Sequence, residues 1–234
     1  MPYRYGPVPG ALGRWQSGRV TRSDDLSQLR RDYSSPSLDE ADAAADPITQ
    51  FRGWFDAARD SEATEANAMV LATVDAQGRP QQRTVLLKAV DERGFTFFTN
   101  YESDKGRQIA GNPEVSLLFG WYIAHRQVRV CGAAARVPRA ETEDYFATRP
   151  RGSQLAAWAS AQSRRLGSRA ELDAEVEAMG RRFGDEVPAP PHWGGYRVEP
   201  RTVEFWQGRR DRLHDRLRYQ RDENDGWVVE RLAP

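Results

Sequence analysis

The feature that most constrains this chain is a close succession of short β-prone segments from Asn67 onward. AMVLATVD, QRTVLLKAVD and GFTFFTN are separated by DAQGRP and DERG, sequences suited to tight turns. A short helical stretch, Ser103 to Gly111, is ended by Asn112-Pro113, and EVSLLFGWY and RQVRVCGAAARV follow as two more strands. Strands so closely spaced argue for an antiparallel barrel or sandwich. The alternating strand–helix order of a dinucleotide fold is missing, and so are the GxGxxG and P-loop motifs.

The flanking segments complete one α+β domain over residues 46–234. Asp46-Pro47 suits a helix N-cap and first position, and Ile48, Phe51, Trp54 and Phe55 then recur on one apolar stripe. Ala140 to Thr148 and Ser168 to Phe183 read as helices, the latter opened by a Ser168/Glu171 capping box. After the proline-rich loop EVPAPPHWGG, the strands YRVEP, TVEFWQG, RLRYQRD and WVVERLAP finish the sheet. Residues 1–45 read as a flexible arm in which Leu26 to Tyr33 could form a short helix.

Composition narrows the function. With 34 basic and 34 acidic residues the net charge is zero, which removes a global electrostatic case for nucleic-acid binding. A single cysteine, Cys131, excludes an intrachain disulfide, and three scattered histidines argue against a Cys/His zinc site. No apolar run approaches membrane length, and the N-terminus has no secretory core, so a soluble cytoplasmic protein is expected. The charges are nevertheless clustered. Residues 39–46 (DEADAAAD) are acidic, whereas 149–169 and 197–221 are rich in arginine, as a solvated face or a small anionic ligand would require.

Four clusters could carry chemistry. In the second strand Arg83, Val85 and Leu87 alternate with Thr84, Leu86 and Lys88. Phe98 and Thr99 end the third strand, and Ser103 and Lys105 open the next helix, where a hydroxyl, an ammonium and free N–H groups suit a phosphate; the alternative reading of Ser103 is a simple cap. YFATRPRGS brings Tyr145, Arg149 and Ser153, and arginine suits bidentate phosphate contacts. In EFWQGRRDRLHDR, an extended chain would put Arg212, His214 and Arg216 on one face, with Asp211 and Asp215 on the other. Such crowding asks for an anionic ligand, a partner chain or a local departure from strand geometry.

Taken in order, AMVLATVD, QRTVLLK, FFTNYESDKGRQI, NPEVSLLF, RQVRVCG, YFATRPRGSQLAAWASAQS, HWGGYRV, EFWQGRRDRLHDR and ERLAP resemble the pyridoxamine 5′-phosphate oxidase family, from about Leu29 to Pro234. The resemblance implies an FMN-binding split β-barrel, antiparallel and Greek-key-like with peripheral helices, in a homodimer with FMN between the subunits. By motif matching, FMN would meet Arg83, Thr84, Val85, Leu86, Leu87, Lys88, Phe98, Thr99, Lys105, Gln127, Gln162, Ser163, Trp206 and Arg216. The substrate phosphate would meet Lys88, Tyr145, Arg149 and Ser153, while Arg212 and His214, the catalytic pair, would border the pyridine ring. Arg30 and Tyr33 in LRRDY match a segment, residues 29–33, that can cover the active site.

The implied reaction is oxidation of pyridoxamine or pyridoxine 5′-phosphate by O₂ to pyridoxal 5′-phosphate and hydrogen peroxide, with a hydride passing from C4′ to flavin N5. It belongs to vitamin B6 synthesis and salvage. One departure from the family pattern is Asp104, where a basic residue is common; the carboxylate is expected to point away from the phosphate, leaving Lys105 and Arg83 to carry it. The alternatives are a related flavin oxidase of the phenazine-biosynthesis type and a non-catalytic protein that binds flavin or pyridoxal phosphate.

Overall fold

The computed structural model describes Tyr33 and residues 37–61 and 65–234, and Tyr33–Pro234 forms one compact unit. Arg30 and the short helix expected over residues 26–33 lie, Tyr33 excepted, outside the described residues.

Helix α1 (Pro47–Asp60) starts as its sequence dictates. The Asp46 carboxylate accepts from the N–H groups of Ile48 and Thr49, both at 2.9 Å, and Pro47 occupies the first turn, where no N–H is needed. Its apolar stripe, Ile48, Phe51, Trp54 and Ala58, is buried against the sheet. The Phe51 ring lies 4.9 Å from Phe95 and 4.8 Å from Phe119, and Trp54 lies 5.2 Å from Phe205. Each such side chain contributes about 1.5–3 kcal/mol by leaving water.

The nine strands form one antiparallel sheet, curled into a split β-barrel: β1 (Ala68–Val74), β2 (Pro80–Leu86), β3 (Ala89–Asp91), β4 (Gly94–Asn100), β5 (Glu114–Trp121), β6 (Arg126–Arg136), β7 (Trp193–Gln207), β8 (Asp215–Arg221) and β9 (Trp227–Arg231). Their order is β2-β1-β5-β6-β7-β4-β3, with β8 on the second half of β7 and β9 outside β8. Alternation sends Met69 and Leu71 of β1, and Val115, Leu117 and Phe119 of β5, into the core. Peripheral helices α2 (Asp104–Gly111), α3 (Arg139–Ala147), α4 (Arg151–Ala159) and α5 (Arg169–Arg182) complete the fold. No helix among the described residues is long and apolar enough to cross a membrane.

Three elements differ from the sequence expectation. The segment QRTVLLKAVD is two strands, because its partner changes: β2 pairs with β1, and β3 pairs with β4. At the switch the Leu87 N–H donates to Asn67 O (2.8 Å), whereas the Lys88 N–H donates to Thr96 O (2.8 Å). YRVEP and TVEFWQG are one strand, β7, which passes Pro200 through a bulge opposite Cys131/Gly132. A Cβ on Gly132 would run into the Glu199 carbonyl, so glycine is needed there. Finally, Arg151–Ala159 is a helix that the sequence analysis did not assign, with Pro150 at its N-cap.

Candidate active site

Beside β2 lies a cavity of about 840 Å³. β2 contributes Arg83, Thr84, Val85 and Leu86, and the switch to β3 adds Lys88. Phe98 and Thr99 come from the end of β4, Lys105 from the first turn of α2, and Gln162 from beyond α4. Tyr145 of α3, Arg149 of the connection and Ser153 of α4 close the other side. Residues far apart in sequence thus share one concavity.

Its first cationic group is Arg83 with Lys105. Arg83 reaches across to the Thr73 hydroxyl through Nη1 and donates to Gln108 Oε1 (3.0 Å) through Nη2. Thr73 in turn donates to the same Gln108 oxygen at 2.6 Å, so the guanidinium is fixed by neutral groups. Burial lowers the Arg83 pKa, opposed by Asp104. Burial also lowers that of Lys105, with the charge of Arg83 second and Asp104 opposing. Lys105 Nζ donates to Gln162 Oε1 (3.0 Å), which also accepts from Thr99 Oγ1 (3.3 Å). Two partly desolvated cations, each held by its own neutral acceptors, make a site that an anion would stabilise. The Asp104 carboxylate is turned outward, exposed and paired with Arg107.

The second group is Arg149. Its guanidinium lies 4.5 Å from the Trp193 ring centroid, burial lowers its pKa with Tyr145 opposing, and its buried Nη1 has no partner among the described residues. Tyr145 stacks on Phe98 with centroids 4.0 Å apart, and Phe98 on Trp193 at 5.5 Å, giving a column of aromatic rings on that side. The arrangement can bind an elongated, aromatic, doubly anionic load.

Not every expected residue lines this cavity. Leu87 is buried in the core. Ser163 lies just outside, and its hydroxyl accepts from the Asp104 N–H at 3.2 Å. Ser103 takes the simpler of its two readings: it is fully buried, accepts from the Gly106 N–H (3.3 Å) and donates to Asn100 O (2.7 Å). Asn100, Trp193 and the Thr73–Gln108 support were not singled out in the sequence. Trp193 stood in HWGGYRV without a role, and nothing in spacing links Thr73 or Gln108 to Arg83.

Gln127, Trp206, Arg212, His214 and Arg216 gather elsewhere, around the far end of β7. Gln127 and Arg216 flank Trp206 in register on β6 and β8. The expected common strand face of Arg212, His214 and Arg216 is not formed. A 3-10 turn, Arg210–Arg212, interrupts the chain with Asp211 (φ 55°) and Arg212 (φ 61°) left-handed, and β8 starts only at Asp215. The crowding is relieved by Glu204, nearly buried, which accepts from Arg216 Nε at 2.8 Å and pairs with Arg129. The His214 ring lies 4.6 Å from Trp206, and Tyr33 lies 5.8 Å from His214 and 4.4 Å from His125.

A family model described as pyridoxamine 5′-phosphate oxidase matches residues 55–182, more than half of the chain. The chain belongs to the pyridoxamine 5′-phosphate oxidase family. A second model, the pyridoxine 5′-phosphate oxidase C-terminal dimerisation region, matches residues 193–234 and thus all of β7 to β9. Such a region indicates a homodimer. The chain is 54% identical over 209 residues to pyridoxine/pyridoxamine 5′-phosphate oxidase 1 of Ralstonia nicotianae, covering 89% of this chain and 99% of the relative. It is 55% identical over 216 residues to the pyridoxine/pyridoxamine 5′-phosphate oxidase of Streptomyces avermitilis, covering 90% and 96%. Among solved structures, PhzG from Burkholderia lata 383, in complex with tetrahydrophenazine-1-carboxylic acid, has a TM-score of 0.80 at 33% identity, covering 86% of this chain and 100% of that one. A pyridoxamine 5′-phosphate oxidase-related, FMN-binding protein from Nostoc punctiforme shares the fold (TM-score 0.66, 18% identity, covering 82% and 100%).

Proposed function

We propose that this member of the family oxidises pyridoxamine 5′-phosphate or pyridoxine 5′-phosphate to pyridoxal 5′-phosphate, with FMN as cofactor, O₂ as final acceptor and hydrogen peroxide as second product. The observation that carries the reading is two separately built cationic groups in one cavity, Arg83/Lys105 and Arg149, beside a column of aromatic rings. Two phosphates, one on the cofactor and one on the substrate, fit that charge pattern. When bound, FMN supplies a two-electron acceptor that O₂ regenerates.

The residues divide the remaining work. Arg83 and Lys105, steadied by Gln108 and Gln162, would hold the cofactor phosphate. Arg149, Tyr145, Ser153 and Lys88 would grip the substrate phosphate and spend binding energy remote from C4′ on its orientation. Trp206, Gln127 and Arg216 would complete the flavin site, and Arg212 and His214 would face the C4′ substituent. They would do so from a partner protomer. Trp193 lines the cavity at one end of β7 and Trp206 stands at the other, roughly 40 Å away along the strand at ~3.3 Å per residue.

The test is direct: purify the protein, look for bound yellow flavin and measure peroxide with pyridoxamine 5′-phosphate. Bound flavin without turnover would favour a non-catalytic binding protein. Equal turnover of phosphorylated and unphosphorylated substrates would favour an oxidase of the phenazine-biosynthesis type, whose structural likeness is noted above.

A further inference from the structure

The acidic stretch that starts at Asp39 has no part in the cavity, yet it is tied to the last strand of the chain. Arg231 of β9 donates through Nε to Glu40 Oε1 (2.7 Å) and through Nη2 to Glu40 Oε2 (2.6 Å), a bidentate pair. The same guanidinium donates to Leu38 O (2.9 Å) and, through Nη1, to Asp215 Oδ1 (3.0 Å). The other oxygen of Asp215 accepts from the Leu38 N–H (3.1 Å). Residue 38 is therefore held by its N–H, by its carbonyl and by its buried side chain.

Two things adjoin this knot. Asp215 directly follows His214 and pairs with Arg209 at 3.5 Å. Tyr33 precedes Leu38 by a stretch that can span at most ~18 Å fully extended, and its ring rests on His125 and near His214 and Trp206 (6.1 Å). Residue 38 is thus an anchor five residues along the chain from Tyr33.

We propose that Arg231 is a positioning residue: with Glu40 and Asp215 it fixes the departure point of the N-terminal segment and so seats Tyr33 against His214 and Trp206. The inference rests on the proposed reading in that His214 and Trp206 are taken to face the ligands. A purely stabilising role is a poor account of the knot. Arg231 is 36% exposed and Glu40 51%, and ion pairs so open to water add little to global stability and are weakened by salt.

The experiment uses the full chain loaded with FMN and two variants, Arg231→Met, which keeps the stem, and Tyr33→Ala. Arg231→Met should raise KM for pyridoxamine 5′-phosphate about fivefold with kcat within about twofold, a split expected when only seating is lost. The double variant should be no worse than Tyr33→Ala alone, because the two act as one unit. Flavin affinity, read by fluorescence titration, should not change, and hydrogen exchange of the Leu38 amide should be several times faster than in the parent chain. Arg231→Lys should restore part of the KM. Additive KM effects, an unchanged Leu38 exchange rate, or a joint fall of kcat and flavin affinity would each overturn the proposal. If the parent chain does not oxidise pyridoxamine 5′-phosphate, the functional reading fails, while Leu38 exchange still judges the anchor.

Discussion

The backbone N–H of Arg209 donates to Nδ1 of His214 at 3.1 Å. That bond requires an unprotonated Nδ1, so the neutral ring carries its proton on Nε2. Burial, with the charge of Arg212 second and Asp215 opposing, holds the His214 pKa below the usual 6.5.

The acid limb of kcat/KM should therefore titrate below pH 6.5. Because the folded-state pKa is depressed, the neutral ring and its Arg209 bond are fully present above that value and are lost as pH falls through the folded pKa. Asp215→Asn, which removes the opposing carboxylate, should shift the limb further down. A pH–rate profile with NMR titration of the ring checks this; a limb above 6.5 that belongs to His214 would refute it.

Burial, with the charge of Arg83 second and Asp104 opposing, disfavours the charge of Lys105 in the flavin-free protein. Lys105→Met should weaken FMN binding by about 1.5–3 kcal/mol, the worth of a charged hydrogen bond. It should leave the melting temperature of the flavin-free protein unchanged or higher. Fluorescence titration and calorimetry on the flavin-free form measure the two effects independently.

On the proposed reading, Arg149 would separate substrates by their phosphate. Arg149→Ala should lower kcat/KM for pyridoxamine 5′-phosphate about 10- to 100-fold, in keeping with the loss of one or two charge-assisted hydrogen bonds. Turnover of pyridoxamine itself should change far less. Equal losses on both would show that Arg149 shapes the cavity through Trp193 rather than binding phosphate.

A site divided between the two ends of β7 should show complementation. Neither Lys105→Met nor Arg212→Ala homodimers should turn over well, yet an equimolar mixture refolded together should recover about a quarter of parental activity, because half the dimers are hybrids with one intact site. No recovery in mixtures whose hybrids are seen by native mass spectrometry would place both residues at the same site of one protomer.

What the sequence disclosed, it disclosed locally. Asp46 and Pro47 mark the start of α1, and the alternation in β1 and β5 marks the core face, because caps and pleats depend on neighbours along the chain. The switch at Leu87 was hidden, since a strand that changes partner keeps its β-prone residues; only the tertiary pairing divides it. Helix α4 was hidden because Pro150 and Gly152 are poor helix formers, and only the N-cap position of Pro150 reconciles them with a helix. In the site, the cationic residues were legible by resemblance. Glu204, Gln108 and Thr73 were not, because each acts on an arginine distant or unremarked in sequence.

Leu87 is a core side chain between two residues, Leu86 and Lys88, that line the cavity. A ligand seated there braces the same tripeptide that plugs the hydrophobic interior. A cofactor that binds only the native chain adds about 2.7 kcal/mol of stability at a hundredfold excess over its Kd. On the proposed reading, bound flavin would protect the folded chain from proteolysis as well as serve its activity.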